Sequence, residues 1–246
     1  MMKISLFAIL TMFVSPLIAD PIVSGFGHTR GGELVRKISL KNDGGMRVEI
    51  LTYGATIKGL FVPDREGVLI NVVHSADSIE EYQKFNAAAS VILSYLSKDG
   101  EAGYPGNLLT KVSYTLNEKN ELRIDYHATT DRATVVNLTN HAYFNLSGGG
   151  TALDHILEIP SVSYTPGREE SIPTGEILPL AGTPMDFRKP TRLGARLEKL
   201  KPAMSGYDYN YVLPEGKGLK LAARLHDLAG GRVMEVRTTQ PAVQLY

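Results

Sequence analysis

The chain has 246 residues, 43% of them hydrophobic, which is enough for a packed core and suits one large all-β domain or two small ones. Lysine and arginine number 26 and so do aspartate and glutamate, so the net charge gives no electrostatic pull toward nucleic acid or an anionic membrane. There is no cysteine, which removes disulfides, thiolate zinc sites and a cysteine nucleophile together.

The first segment, "MMKISLFAILTMFVSPLIAD", has one early charge, Lys3, and an apolar run that Pro16 breaks. It is too short to span a bilayer and reads as a secretory leader over residues 1–19, cut after Ala19. That predicts a periplasmic or secreted protein with no stable membrane insertion once the leader is gone. Residues 20–246 are then expected to form a single domain. "GFGHTRGG" lacks the final glycine and the following helix of a dinucleotide fingerprint.

From Leu34 onward apolar runs alternate with Asn-Asp-Gly-Gly and Pro-Asp-Arg-Glu-Gly, the punctuation of β-hairpins. "LLTKVSYTL" and "ELRIDYHAT" flank a polar turn, and period-2 alternation puts His127 on the solvent side of the second. Residues 151–190 are rich in Pro, Gly and Thr, with short strands such as "HILEIP". "TRLGARLEKL" is the best short helix candidate, and "YDYNYVL" and "RVMEVRTTQPAVQLY" close the chain as strands. The pattern predicts an all-β sandwich of mostly antiparallel strands. The six histidines show no metal-ligand spacing.

"NLTNHAYFNLSGGG" (residues 137–150) holds the most informative histidine. Read as a strand, it puts Val136, Leu138, Asn140, Ala142 and Phe144 on one face. Asn137, Thr139, His141, Tyr143 and Asn145 then lie on the other. A solvated face would carry Lys and Glu; this one carries amides, a hydroxyl, a phenol and an imidazole. That set suits a neutral, hydroxyl-rich ligand, with histidine able to exchange protons near neutral pH. A buried polar network holding sheets together fits the same pattern, and the residues alone leave both readings open. The two Asn-X-Ser/Thr triplets inside this stretch read as chance rather than glycosylation sites.

"VVNLTNHAYFNLSG" resembles a signature of the aldose 1-epimerase (galactose mutarotase) family. The likeness extends through "DGEAGYPGNLLTKVSYTLNEKNELRIDYHATTDRAT", "YTPGREESIPTGEILPLAGTPMDFRKP", "GYDYNYVL" and "TTQPAVQLY", and back to "YGATIKGLFVPDREGVLINVV". The resemblance implies a galactose mutarotase-like supersandwich and an isomerase that interconverts α and β anomers of free hexoses. It implies a small sugar substrate, no cofactor, and a monomer or dimer. It implies His141 as the acid that protonates the ring oxygen, Ala142 and Tyr143 beside the sugar, and Asp208 and Gln244 as hydrogen-bonding partners of the sugar.

Against the family pattern, two parts are expected to be missing. Several dozen residues are absent between "EEYQKF" and "SYLSKDGEAGYPGNL", including an Asn-Arg pair and a second histidine; His74 has a different context and is not assigned that role. The family's base, a glutamate, falls beyond "TTQPAVQLY", and Glu235 does not match it. The sandwich is therefore expected to be incomplete, with open edges, and turnover to be reduced. The alternative is a non-catalytic sugar-binding or vestigial relative. A relative acting on phosphorylated hexoses would need a basic pocket, which the sequence does not reveal.

Overall fold

Turn chemistry sets the order of the strands. In the computed structural model the described residues are 3–5, 21–29, 32–74, 90–167, 172–200 and 206–246. They fall into two compact units, one N-terminal, up to Gly148, and one C-terminal, from Gly149, which also takes in Lys3–Ser5. Strand β1 (Lys3–Ser5) runs parallel to a strand of the C-terminal unit, Ser5 standing opposite Glu235. The rest of the expected leader lies outside the described residues.

In the N-terminal unit, β2 (Ile22–His28), β3 (Leu34–Lys41), β4 (Arg47–Leu51), β5 (Ile57–Pro63) and β6 (Leu69–Asn71) form one antiparallel sheet in sequence order. The Asn-Asp-Gly-Gly and Pro-Asp-Arg-Glu-Gly turns join β3 to β4 and β5 to β6, as the sequence predicts. On one face the register aligns Leu40, Val48 and Leu60, all fully buried, so a cross-strand row forms the core. On the other face Glu49 is buried beside Lys37 at 3.7 Å and Arg47 at 3.6 Å, and the Arg47 guanidinium stacks 3.8 Å above the Phe61 ring. Burial draws the Lys37 ammonium below its usual pKa, against the opposing pull of Glu49. Gly59, opposite Glu49, has no room for a side chain, since a Cβ there would lie 2.7 Å from the Phe61 ring.

β8 (Ser90–Ser97), β9 (Leu108–Leu116) and β10 (Leu122–Thr130) make a second antiparallel sheet in the order β10-β9-β8. His127 on β10 is exposed, as its alternation predicts. Asn42, in the β3–β4 turn, ties the two sheets together: its amide donates 2.8 Å to the Asn117 carbonyl and 2.8 Å to Asn120 Oδ1. Its own Oδ1 accepts from the Met46 backbone at 2.9 Å, so this buried amide is satisfied. A short pair, β7 (Val73–His74) with β11 (Tyr143–Phe144), completes the unit.

In the C-terminal unit, β12 (Ile156–Glu158), β15 (Thr191–Arg192), β17 (Lys220–His226) and β18 (Val233–Thr238) join β1 in the order β1-β18-β17-β12-β15. β13 (Ser163–Thr165), β14 (Leu178–Pro179), β16 (Tyr209–Val212) and β19 (Ala242–Leu245) form an antiparallel sheet in the order β14-β13-β16-β19. The predicted helix is a 3-10 helix, Leu193–Leu200. Its entry is fixed from outside, because the Leu193 and Gly194 amides donate to the His155 and Leu153 carbonyls. The chain is all-β, as its alternating runs predict. No helix among the described residues is long and apolar enough to cross a membrane.

Candidate functional site

The N-terminal unit carries His141, and it is not on a strand. Residues 131–142 take no regular structure, and only Tyr143–Phe144 pair, with β7. The expectation of a strand through His141 is corrected here. Asn140 gives the reason: its Oδ1 accepts from the Ala142 amide at 3.1 Å, a local bond that takes this donor out of any ladder. Over residues 137–144 the alternation still survives as exposure, though Val136 is exposed and Asn145 half-buried against it. Asn137, Thr139, His141 and Tyr143 face outward, while Leu138, Ala142 and Phe144 are partly covered.

His141 is held by what surrounds it. Asn140 Nδ2 reaches the Tyr114 hydroxyl at 3.4 Å, and that hydroxyl donates to the Ala55 carbonyl. Tyr114 is only 1% exposed, and Ala55 stands in the left-handed region at φ 51°, in the tight turn before β5. A buried phenol thus links that turn to the residue preceding His141. Downstream, the Asn145 amide donates to the Val72 carbonyl at 2.8 Å and Leu146 is fully buried. Gly148, at φ 75°, sits so close to Ile70 that a Cβ would fall 2.6 Å from its terminal methyl. Gly148 therefore packs the end of the motif against Ile70 of β6. Between these two anchors the His141 imidazole lies outward with its centroid 5.0 Å from the Tyr143 ring, tilted by 44°. Tyr143 is 46% exposed and stands directly opposite His74 in the β7–β11 register.

The C-terminal unit carries the other two predicted polar residues, and it brings them together. Asp208 immediately precedes β16 and Gln244 lies on its neighbour β19, and Gln244 Nε2 donates to Asp208 Oδ1 at 2.6 Å. Two nearby tyrosines hold Asp208 in place. Tyr207 is buried and its hydroxyl donates 2.8 Å to the Leu193 carbonyl; fully buried Tyr211 donates 2.9 Å to the Met185 carbonyl. Phe187, also fully buried, meets the Tyr207 ring edge-on at 5.3 Å between centroids. Asp186 grips Arg188 through two contacts of 2.8 and 2.7 Å, and this pairing holds its carboxyl below the usual range. The Thr-Pro-Met-Asp-Phe-Arg stretch, a landmark without a role in the sequence, is thus the clamp on β16. What the sequence does signal is a tyrosine on each side of Asp208, in "GYDYNY".

Glu235 is fully engaged. It lies on β18, buried, with Arg224 at 2.8 Å on one oxygen and Arg237 at 3.3 Å on the other. The Arg224 contact first, with Arg237, holds its carboxyl below the usual range, against burial. Among the described residues no group of three His, Asp or Glu side chains is arranged to hold a metal ion.

The strands of the two units define a class, mostly antiparallel β proteins. The comparisons with known proteins narrow it. A family model described as aldose 1-epimerase matches residues 84–246. Galactose mutarotase of Pongo abelii is 36% identical over 271 aligned positions, which span 88% of this chain and 78% of that protein. Aldose 1-epimerase of Escherichia coli (strain K12) is 36% identical over 160 positions, 63% of this chain and 46% of that protein. The crystal structure of an aldose epimerase homologue from C. elegans has the same fold, with a TM-score of 0.73 at 23% identity over 85% of this chain and 81% of that one. The chain belongs to the aldose 1-epimerase family, and so to the isomerases. Since 88% of 246 residues is about 216, about 55 of the 271 aligned positions have no residue here, in keeping with the absence of an internal segment of several dozen residues.

Proposed function

We propose that this chain interconverts the α and β anomers of a free hexose such as galactose or glucose. Ring opening needs a proton delivered to the ring oxygen and another taken from the anomeric hydroxyl. His141 supplies the first. Its outward position leaves the imidazole accessible, and the Tyr114–Asn140 anchor fixes the residue before it. Ala142 and Tyr143 lie beside the sugar, and the Tyr143 ring offers a surface for its C–H groups. Asp208 and Gln244 accept and donate hydrogen bonds to sugar hydroxyls. The observation that carries this reading is the 2.6 Å bond between Gln244 and Asp208. Two residues 36 positions apart, each assigned to the same ligand by family resemblance, are neighbours on one sheet.

A second reading is sugar binding with little turnover, in which Glu235 supplies no substitute for the family's base. Its ion pairs with Arg224 and Arg237 and its lowered pKa make it a poor proton acceptor. General-base help is worth roughly 10² to 10⁴ in rate. Polarimetry of freshly dissolved α-galactose and α-glucose separates the two. Faster decay of optical rotation with protein supports the epimerase reading, and binding without acceleration supports the second. Neither binding nor acceleration removes both. Export to the periplasm or medium, suggested by Lys3 and the apolar run after it, belongs to the same proposal. It is tested by sequencing the N-terminus of protein recovered outside the cytoplasm.

A further inference from the structure

The sheet bearing Asp208 and Gln244 has more polar chemistry on that face than these two residues account for. In the register of β13, β16 and β19, Asn210 stands directly opposite Gln244 on one side and Thr165 on the other. Directly opposed residues share a face, and Asp208, two positions before Asn210, shares it by alternation. Two hydrogen bonds cross the strands there: Gln244 Nε2 to Asp208 Oδ1 at 2.6 Å, and Asn210 Nδ2 to Thr165 Oγ1 at 3.0 Å. The reverse face is aromatic. Tyr164 and Tyr209 meet edge-on at 5.5 Å, and Tyr211 is fully buried. One side of the sheet thus carries aromatic rings, and the other is a row of hydroxyl, amide, amide and carboxylate, half-buried except for the exposed Gln244.

We propose that Asn210, held by Thr165, is a specificity-determining sugar contact that extends the Asp208–Gln244 pair into a row reading adjacent hydroxyls of one pyranose. This rests on the proposed function. With one amide hydrogen committed to Thr165, Asn210 keeps a carbonyl acceptor and a second amide hydrogen, the donor–acceptor combination a hydroxyl pair needs. Strands stand about 4.8 Å apart, so the row from β13 through β16 to β19 has the scale of a single sugar ring. Thr165, Asp208, Asn210 and Gln244 include no cation, which fits a free sugar and not a phosphorylated one.

The test is titration calorimetry of galactose and of glucose against the full chain and its Asp208→Ala, Asn210→Ala and Thr165→Val variants, with thermal melting as the control for folding. Asn210→Ala is expected to weaken binding at least tenfold and to change the ratio of galactose to glucose affinity, which a merely structural residue would leave constant. Thr165→Val is expected to change the same ratio in the same direction by a smaller factor, and it carries the test if Asn210→Ala does not fold. Unchanged affinities and ratio in both variants, with binding lost in Asp208→Ala, overturn the role of Asn210 and leave the sugar-binding reading intact. Absence of binding by the unmodified chain overturns that reading, and this inference with it.

Discussion

His141 and Glu235 show how little a residue's type says before its surroundings are known. Both can exchange protons, yet the imidazole is exposed on an anchored turn and the carboxylate is buried between two guanidinium groups. Replacing His141 with alanine should lower any mutarotation by roughly 10² to 10⁴, the usual worth of a general acid, and should leave the melting temperature unchanged, because the side chain is exposed. Polarimetry and thermal melting read the two effects. Glu235 should matter for stability instead. Its pairing with Arg224 and Arg237 contributes fully above the unfolded carboxylate value of about 4.3, and the contribution is lost as pH falls through the lower folded value. Glu235→Gln should therefore flatten the acid side of the stability–pH profile and cost roughly 1–3 kcal/mol at neutral pH, measured by urea unfolding.

At the scale of an element, β16 places Asp208 accurately because its neighbours are pinned from below. Tyr211 donates to the Met185 carbonyl, and burial raises its phenol pKa, so it stays a donor through the alkaline range. Tyr211→Phe leaves that buried carbonyl without its donor, at roughly 1–3 kcal/mol. A downward shift of the denaturation midpoint, with the slope unchanged, is the expected result. The anchor of the His141 motif works the same way: Tyr114, Asn140 and Gly148 fix a segment that forms no ladder of its own. Irregular backbone needs such tethers, since it has no repeating hydrogen bonds to define it.

For the whole molecule the open question is the edge. Among the described residues β8 pairs only with β9, and it exposes Ile92 at 66%, Tyr95 at 60% and Leu96 at 49%. The strand, "SVILSYLS", has no charge, no proline and no bulge, so nothing discourages another strand from adding to it. This is the consequence expected of a sandwich short of an internal segment, and about 55 aligned positions lacking a residue here fit it. Ile92→Lys should reduce concentration-dependent association in light scattering, with little change in melting temperature. No reduction would mean that this edge does not drive association.

The sequence by itself determined the all-β class, the hairpin turns at Asn42 and Asp64 and the solvent position of His127, because alternation and turn chemistry act over a few residues; the family was legible in its motifs. It named His141, Asp208 and Gln244 only through the family motif, since composition and period left a buried network equally open. The tertiary structure decided the rest. It withheld a strand from His141, because a side-chain bond from Asn140 competed for the backbone donor. It turned the Thr-Pro-Met-Asp-Phe-Arg landmark into the clamp under Asp208, and it set Asn210 between Thr165 and Gln244. These depend on which strands pair and in what register, which is settled by contacts between residues far apart in the chain, and local patterns carry no record of those.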